Sequence, residues 1–366
     1  MNKRVVFVGI PVVLLLVLCV VALRFFGEKE YTGYAEVREL EVRETASYLY
    51  ADKKLISYGP EGVQAVAADG TLLWNVTYNT MKKPVFSFCG ERMLVADIGT
   101  KEFLLSDGTG VTKSFSVPHP IQAVCVSKQG ICAVLMNVAE KDYIYLYDKE
   151  GVLLSEIETV VSQDGFPVAI ALSEDGTKLV TSYMKIEDDE AVGCVTFYNF
   201  GGVGQNYFGN LVAQVQYEKC LVPRIEFWGN DTVAVLGENT IELFEMKETP
   251  ASVMKKELTA PIRSIAFGDY FCMITKNAEG QNILEAYDKS GKVRMMRVIA
   301  FPYIGFQTEG KEVVLYGHSG CEIYTIGKDT CFKGSFEGGV RNLFAIGGNR
   351  YFLVENKKGS VIRLTR

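Results

Sequence analysis

The feature that most constrains this chain is a loose repeat of about 35–50 residues, in which four short apolar runs follow one another with turn signals between them. One clear unit starts at Pro120 and reads IQAVCVS, ICAVLMN, YIYLYD and VLLSEIE. Its breaks fall at Lys128-Gln129-Gly130, over a loop at Val138–Asp142, and at Lys149-Glu150-Gly151. A second unit, from Ile262, reads IRSIAF, FCMITKN, ILEAYD and VRMMRVI. In both, Tyr-Asp-Lys-x-Gly joins the third run to the fourth, at Tyr147–Gly151 and Tyr287–Gly291. Asp69-Gly70 before Leu72-Leu73-Trp74 is a shorter version of the same device. Aspartate caps its own turn and glycine supplies the positive φ of a tight hairpin, while runs rich in Val, Ile, Phe and Tyr suit a pleated strand.

Laid end to end, the units cover residues 44–78, 83–117, 120–158, 165–217, 221–258, 261–299 and 301–337, and three further runs follow Val340 (RNLFAIG, RYFLVEN and SVIRL). A radial array of four-stranded sheets must close on itself, because an unpaired edge invites aggregation; propellers close by borrowing a strand from the other terminus. Ala35–Val42 (AEVRELEV) alternates suitably for that role. The expected fold is therefore all-β, a β-propeller of eight blades with seven as the near alternative, preceded by one N-terminal transmembrane helix.

That helix is expected because Val5–Leu23 is an apolar run of 19 residues without a charge. At 1.5 Å per residue it spans roughly 28 Å, close to the ~30 Å core of a bilayer. Pro11 falls in its first half, where a kink is tolerated. Lys3 and Arg4 precede the run and Glu28 and Glu30 follow it, which keeps the N-terminus cytoplasmic and exports the rest. The run is long for a cleaved signal, and residues 21–26 (VALRFF) offer no small-x-small site; Leu18 before Cys19 speaks against a lipoprotein. The expected organisation is a cytoplasmic tail at 1–4, a signal anchor at 5–26, a linker and ring-closing strand at 27–43, and a propeller ectodomain at 44–366. The lipid bilayer is then one partner, through residues 5–26, and the address is the cell membrane with the propeller extracytoplasmic.

Composition narrows the function. The formal charge of −6 becomes −9 once Lys3, Arg4 and Arg24 are set aside, so an acidic ectodomain argues against nucleic acid as a partner. The eight ectodomain cysteines sit mostly inside apolar runs, as in Val124-Cys125-Val126, and read as small buried hydrophobes rather than a disulfide frame.

The search for chemistry returns no catalytic, cofactor-binding or metal-binding residue set. His119 and His318 are the two histidines, in separate units, and no Cys-x-x-Cys occurs. Gly-x-Ser-x-Gly and Walker A motifs are missing, and Gly201-Gly202-Val203-Gly204 leads to no helix, so a wide hairpin loop accounts for it. Glu187-Asp188-Asp189-Glu190 lacks calcium-loop spacing and reads as a solvated hairpin. Residues 245–257 (EMKETPASVMKKE), with Pro250 inside, read as a connector. Tyr207 and Phe208 are the aromatics to inspect for exposure, though packing beneath their own loop is the simpler expectation, and Trp74 is expected between blades.

Leu172-Ser173-Glu174-Asp175-Gly176-Thr177-Lys178-Leu179-Val180 resembles the first-to-second strand turn of WD40-type blades, and Asp69–Trp74 resembles the third-to-fourth strand turn of quinoprotein-like (PQQ-like) propellers. The whole arrangement is similar to a family of uncharacterised membrane-anchored degenerate propellers from Firmicutes. The Gly-His and Trp-Asp pairs of WD40 repeats are absent, and so are the vicinal cysteines that quinone-cofactor dehydrogenases resemble one another in. The resemblance implies architecture. A rigid ring presenting many loops, without a catalytic constellation, is expected to act as a binding or scaffolding module for a protein or cell-envelope partner. The alternative is a cell-envelope carbohydrate hydrolase or lyase whose carboxylates converge at the propeller channel.

Overall fold

The computed structural model describes residues 31–187, 189–328 and 331–366; the run at 5–26 read as a membrane anchor lies outside the described residues. Among the described residues, no helix is long and apolar enough to cross a membrane. The described residues form thirty-two strands in eight four-stranded antiparallel sheets, which sets aside the seven-bladed alternative. Blades 1 to 7 follow the chain, with inner strands Ser47–Ala51, Pro84–Cys89, Ile121–Val126, Phe166–Leu172, Arg224–Phe227, Ser264–Phe267 and Gly305–Glu309. Each blade continues outward through its second, third and fourth strands in sequence order.

Blade 8 is different. Val340–Gly347, Arg350–Glu355 and Gly359–Thr365 come from the C-terminus, and its outer strand is Gly33–Leu40 from the other end of the chain. Gly33 lies opposite Thr365 and Leu40 opposite Gly359, with one bulge between Glu36 and Arg38. The inner strand of blade 8 touches those of blades 7 and 1, so the series is a closed ring.

The core is divided as a propeller requires. Eight hydrophobic clusters each draw on two adjacent blades, one for every blade interface. A second strand is covered by a neighbouring blade on each face, which is why Met93-Leu94-Val95-Ala96 and Phe271-Cys272-Met273-Ile274 are continuous apolar runs and almost fully buried. Outer strands are half solvated and alternate instead, as at Leu153–Val160. Residues 250–257, read from sequence as part of a connector, are such an outer strand, Pro250–Glu257 of blade 5. Pro250 sits at its first position, where a missing N–H is tolerated, and a solvated outer strand carries too little apolar pattern to announce itself. The loop expected at Val138–Asp142 is also shorter than its sequence suggested, since strand pairing continues to Val138 opposite Lys141.

Trp228 illustrates how one blade is fastened to the next. It is 5% exposed and packs with Phe267, Phe271 and Tyr287 of blade 6. Its indole N–H donates to the Gly268 carbonyl at 2.6 Å, and the Lys289 ammonium lies 5.2 Å from the ring centre. Trp74 is also buried between two blades, 1 and 2, but from the outer strand Leu72–Thr77. Trp228→Ala should cost about 3–5 kcal/mol and Trp228→Phe less, in chemical denaturation at neutral pH.

The Tyr-Asp-Lys-x-Gly turns work as their residues dictate. The Asp288 carboxylate accepts from the N–H groups of Ser290 and Lys292 and from the Ser290 hydroxyl, and pairs with Arg294. Its slight burial opposes ionisation, but the hydrogen bonds from Ser290 and Arg294 prevail and hold the carboxyl down at about 2. A depressed folded value means that this stabilisation is complete above the unfolded value, about 3.9, and disappears as pH falls through the folded one. Asp288→Ala should therefore lose about 1 kcal/mol at pH 7, a modest figure for a solvent-facing turn, with the deficit fading between about pH 4 and pH 2 in thermal melts.

Candidate functional site

The two ends of the ring differ because their connections differ. At one end lie the turns from first to second strand and from third to fourth, mostly tight and closed by aspartate or asparagine side chains. At the other lie the crossovers between blades and the connections from second to third strand, here called the crossover end. His119 and His318 both belong to the crossover end but in blades 3 and 7, on opposite sides of an eight-membered ring, so they do not meet. His119 stacks on Tyr143 with ring centres 5.3 Å apart, and His318 is exposed in its turn. Glu187, Asp189 and Glu190 form a solvated hairpin tip in blade 4, where Glu190 pairs with Lys219 at 2.8 Å. Asp188 lies outside the described residues.

Tyr207 and Phe208 correct the expectation that they pack beneath their loop. Both face solvent on the turn end, Phe208 with 101% relative exposure. The loop is anchored elsewhere: Gly204 presses on the Asn199 carbonyl, leaving a Cβ only 1.5 Å from that oxygen, and Asn199 Oδ1 accepts from the Gly201 N–H. Positive φ at Gly209 and Asn210 then carries the chain back to the sheet. The eight described cysteines are free thiols, and burial pushes those at Cys132, Cys272 and Cys321 up to about 12.

Two cavities of about 430 Å³ adjoin at the crossover end of blades 5 to 7 and share Arg263 and Ser264. Pro223, Pro261, Ile262 and Ile265 give the first an apolar floor; Phe301, Pro302 and Tyr303 wall the second. The backbone of Arg263 is fixed by its N–H to the Ile274 carbonyl at 2.8 Å, whereas its exposed guanidinium has no hydrogen bond or ion pair among the described residues. Arg224, on the far wall, is paired with Glu226 at 2.9 Å. The Ser264 hydroxyl donates to the Tyr303 hydroxyl at 3.3 Å, and Asn282 Oδ1, on the second wall, is buried without a partner. An unpaired guanidinium between one apolar and one more polar recess suits an extended chain that presents a carboxylate. No sequence motif marked these residues. Arg263 ends the crossover into blade 6, two residues after Pro261, and only the fold of blade 6 and the crossover into blade 7 bring Asn282 and Tyr303 beside it.

Carboxylates on the eight inner strands are confined to Glu226 and Glu309. Burial raises Glu309, with Asp269 and Glu312 adding repulsion, and burial also raises Glu312, whose carboxylate accepts the Tyr351 hydroxyl at 2.7 Å. Among the described residues no group of three or more His, Cys, Asp or Glu is arranged to hold a metal ion.

A buried polar node lies between blades 3 and 4. Asp142 is 1% exposed; Oδ1 accepts from Asn137 Nδ2 at 2.6 Å and Oδ2 has no partner. Burial pushes this carboxyl up. The native state then holds the proton more tightly than the unfolded chain, so stability falls as pH rises from about 4 through the raised value. Asp142→Asn removes the charge and should raise the melting temperature at pH 7 by more than at pH 4; equal shifts at both would contradict this assignment.

The fold is similar to those of several solved structures. A eukaryotic initiation factor is 12% identical with a TM-score of 0.52, over 86% of this chain and 83% of that one. The WD40 domain of Pan2 from Neurospora crassa is 10% identical with a TM-score of 0.45, over 78% and 90%. At such identities the likeness concerns the fold alone. No curated protein matches the sequence. The model of one family of unknown function, DUF5711, matches residues 27–364, from before the closing strand to its partner in blade 8, and the chain belongs to that family.

Proposed function

We propose that this protein is a membrane-anchored, extracytoplasmic binding or scaffolding module whose crossover end receives an extended segment of a protein or cell-envelope partner. The observation that carries the reading is the unpaired Arg263 guanidinium between two adjoining recesses. Arginine in such a setting binds carboxylates through paired hydrogen bonds and is a frequent anchor of interfaces. The apolar run at 5–23 and its flanking charges support attachment to the cell membrane with a cytoplasmic N-terminus. The chain enters the ring at Gly33, opposite Thr365 on the turn end, which would turn that end towards the bilayer and the recesses away from it. Leu72, Leu73, Val111 and Val152–Leu154 are exposed at third-to-fourth-strand corners of blades 1 to 3, as Phe208 is in blade 4, and all would then face the membrane side.

The full-length protein, captured from its native membrane beside an anchor-only control, should retain a partner that Arg263→Glu loses by about tenfold or more, the scale of one charge-assisted contact. A partner held equally by both forms would remove the recess from the reading. Protease added to intact cells stripped of their wall should degrade the propeller, and full protection would overturn the proposed orientation.

The second reading, a carbohydrate hydrolase or lyase, draws on the raised carboxyls of Glu309 and Glu312. It requires release of soluble fragments from wall glycan that Glu309→Gln abolishes.

A further inference from the structure

A different cavity, of about 590 Å³, lies between blades 7 and 8. Its wall combines the closing strand, at Tyr34 and Glu36, with the crossover into blade 8, at Glu337, and the second-to-third-strand connection of blade 8, from Glu355 to Lys358. Five charges border it. Lys358 is committed to Glu36 at 2.9 Å. Glu337 and Glu355 have no hydrogen bond or ion pair for their carboxylates among the described residues, and Lys357 points to solvent at the rim. Glu355 is nonetheless only 5% exposed, and Gly338 makes room for it: a Cβ there would lie 2.1 Å from Glu355 Oε1.

A second observation is independent of the carboxylates. Ser360, on the same wall, is 1% exposed and its hydroxyl is buried with no partner. Buried polar atoms are almost always satisfied, so a free hydroxyl and an unpaired carboxylate on one cavity wall mark a place for a donor-rich group. Leu353 and the Tyr34 ring, itself 5.0 Å from the Phe336 ring, supply an apolar stretch beside them. Burial and then the charges of Glu355 and Glu337 push the Tyr34 phenol up, so both carboxylates act on that ring.

We propose that this cleft binds a cationic group on an alkyl stem, an ammonium or guanidinium, with Glu355 and Ser360 as the inner contacts, Glu337 as the outer one, and Tyr34 along the stem. Five hydrogens on a guanidinium, or three on an ammonium, can meet both carboxylates and the Ser360 hydroxyl together. The stem lies on the tyrosine face, where a cation gains further attraction. The site is separate from the Arg263 recess and opposite in charge preference. It exists only in the closed ring, because Tyr34 comes from one terminus and Glu355 from the other.

The test is calorimetric titration of the full-length protein, in non-ionic detergent at low salt, with agmatine as a free small molecule that carries a guanidinium and an ammonium on one alkyl stem, and with acetyl-Gly-Arg-Gly-amide as a peptide-borne side chain. Saturable binding of either, in the range of about 1 mM, supports the cleft, and which of the two binds more tightly identifies the natural source. Glu355→Gln should weaken it about tenfold or more and Glu337→Gln by less, while Lys357→Gln, which removes a competing cation, should tighten it. Arg263→Glu should leave it unchanged, so failure here and failure of the recess are told apart. Glu337 is exposed, so its variant keeps the test decisive should Glu355→Gln not fold. No heat from either probe up to about 20 mM, or undiminished binding in both glutamine variants, overturns the proposal.

Discussion

Everything in this molecule depends on the antiparallel pairing of Gly33–Leu40 with Gly359–Thr365. Without it blade 8 would end in an open strand with unpaired N–H and C=O groups, and the hydrophobic surface beneath Leu40 and Val361 would meet water. With it, each blade packs between two neighbours, and each interface has its own apolar cluster. Burial is therefore spread evenly around the ring. The pairing also ties the N-terminal segment to the turn end of blade 8, which fixes where any preceding anchor must approach the ring.

The same geometry separates structural from functional residues. Most turn-end connections are short hairpins, and their aspartates spend hydrogen-bonding capacity on their own backbones, as Asp148 and Asp288 do. Crossovers have to travel from the outer strand of one blade to the inner strand of the next, and so pass over the interface between the two blades. Clefts between them are the natural consequence, and the cavities around Arg263 and Glu355 both draw walls from crossovers. One offers a positive centre and the other a negative one, so an acidic chain overall can still discriminate locally by sign. Rigid strands hold these groups while the loops that carry them are free to differ.

Much of the fold was legible in the sequence. Asp-Gly turns and β-branched runs located the strands of blades 3 and 6 because turn chemistry is local: it needs an aspartate, a glycine and their immediate neighbours. The alternation at Ala35–Val42 predicted a strand, and the count of units predicted eight blades with seven as the near alternative. Where reading failed, the local signal was weak or misleading. Pro250 concealed an outer strand whose hydrophobic pattern solvent exposure had diluted. Phe208 looked like a loop-packing aromatic, but Gly204 and Asn199 had already taken that task.

The recesses had no sequence signature at all, and the reason is physical. Arg263, Asn282 and Tyr303 become neighbours through the fold of blade 6 and the crossovers at its two sides, and Tyr34 meets Glu355 only when the two ends of the chain pair. No spacing rule can encode a contact that depends on ring closure. The sequence by itself located most of the strands and their turns and narrowed the ring to eight or seven blades, since those follow from short-range backbone preferences and from the need to bury apolar faces; the pairing of the two termini fixed the number at eight. The tertiary structure decided which polar groups stay unpaired, because whether a charge or hydroxyl finds a partner depends on what the neighbouring blade brings to it.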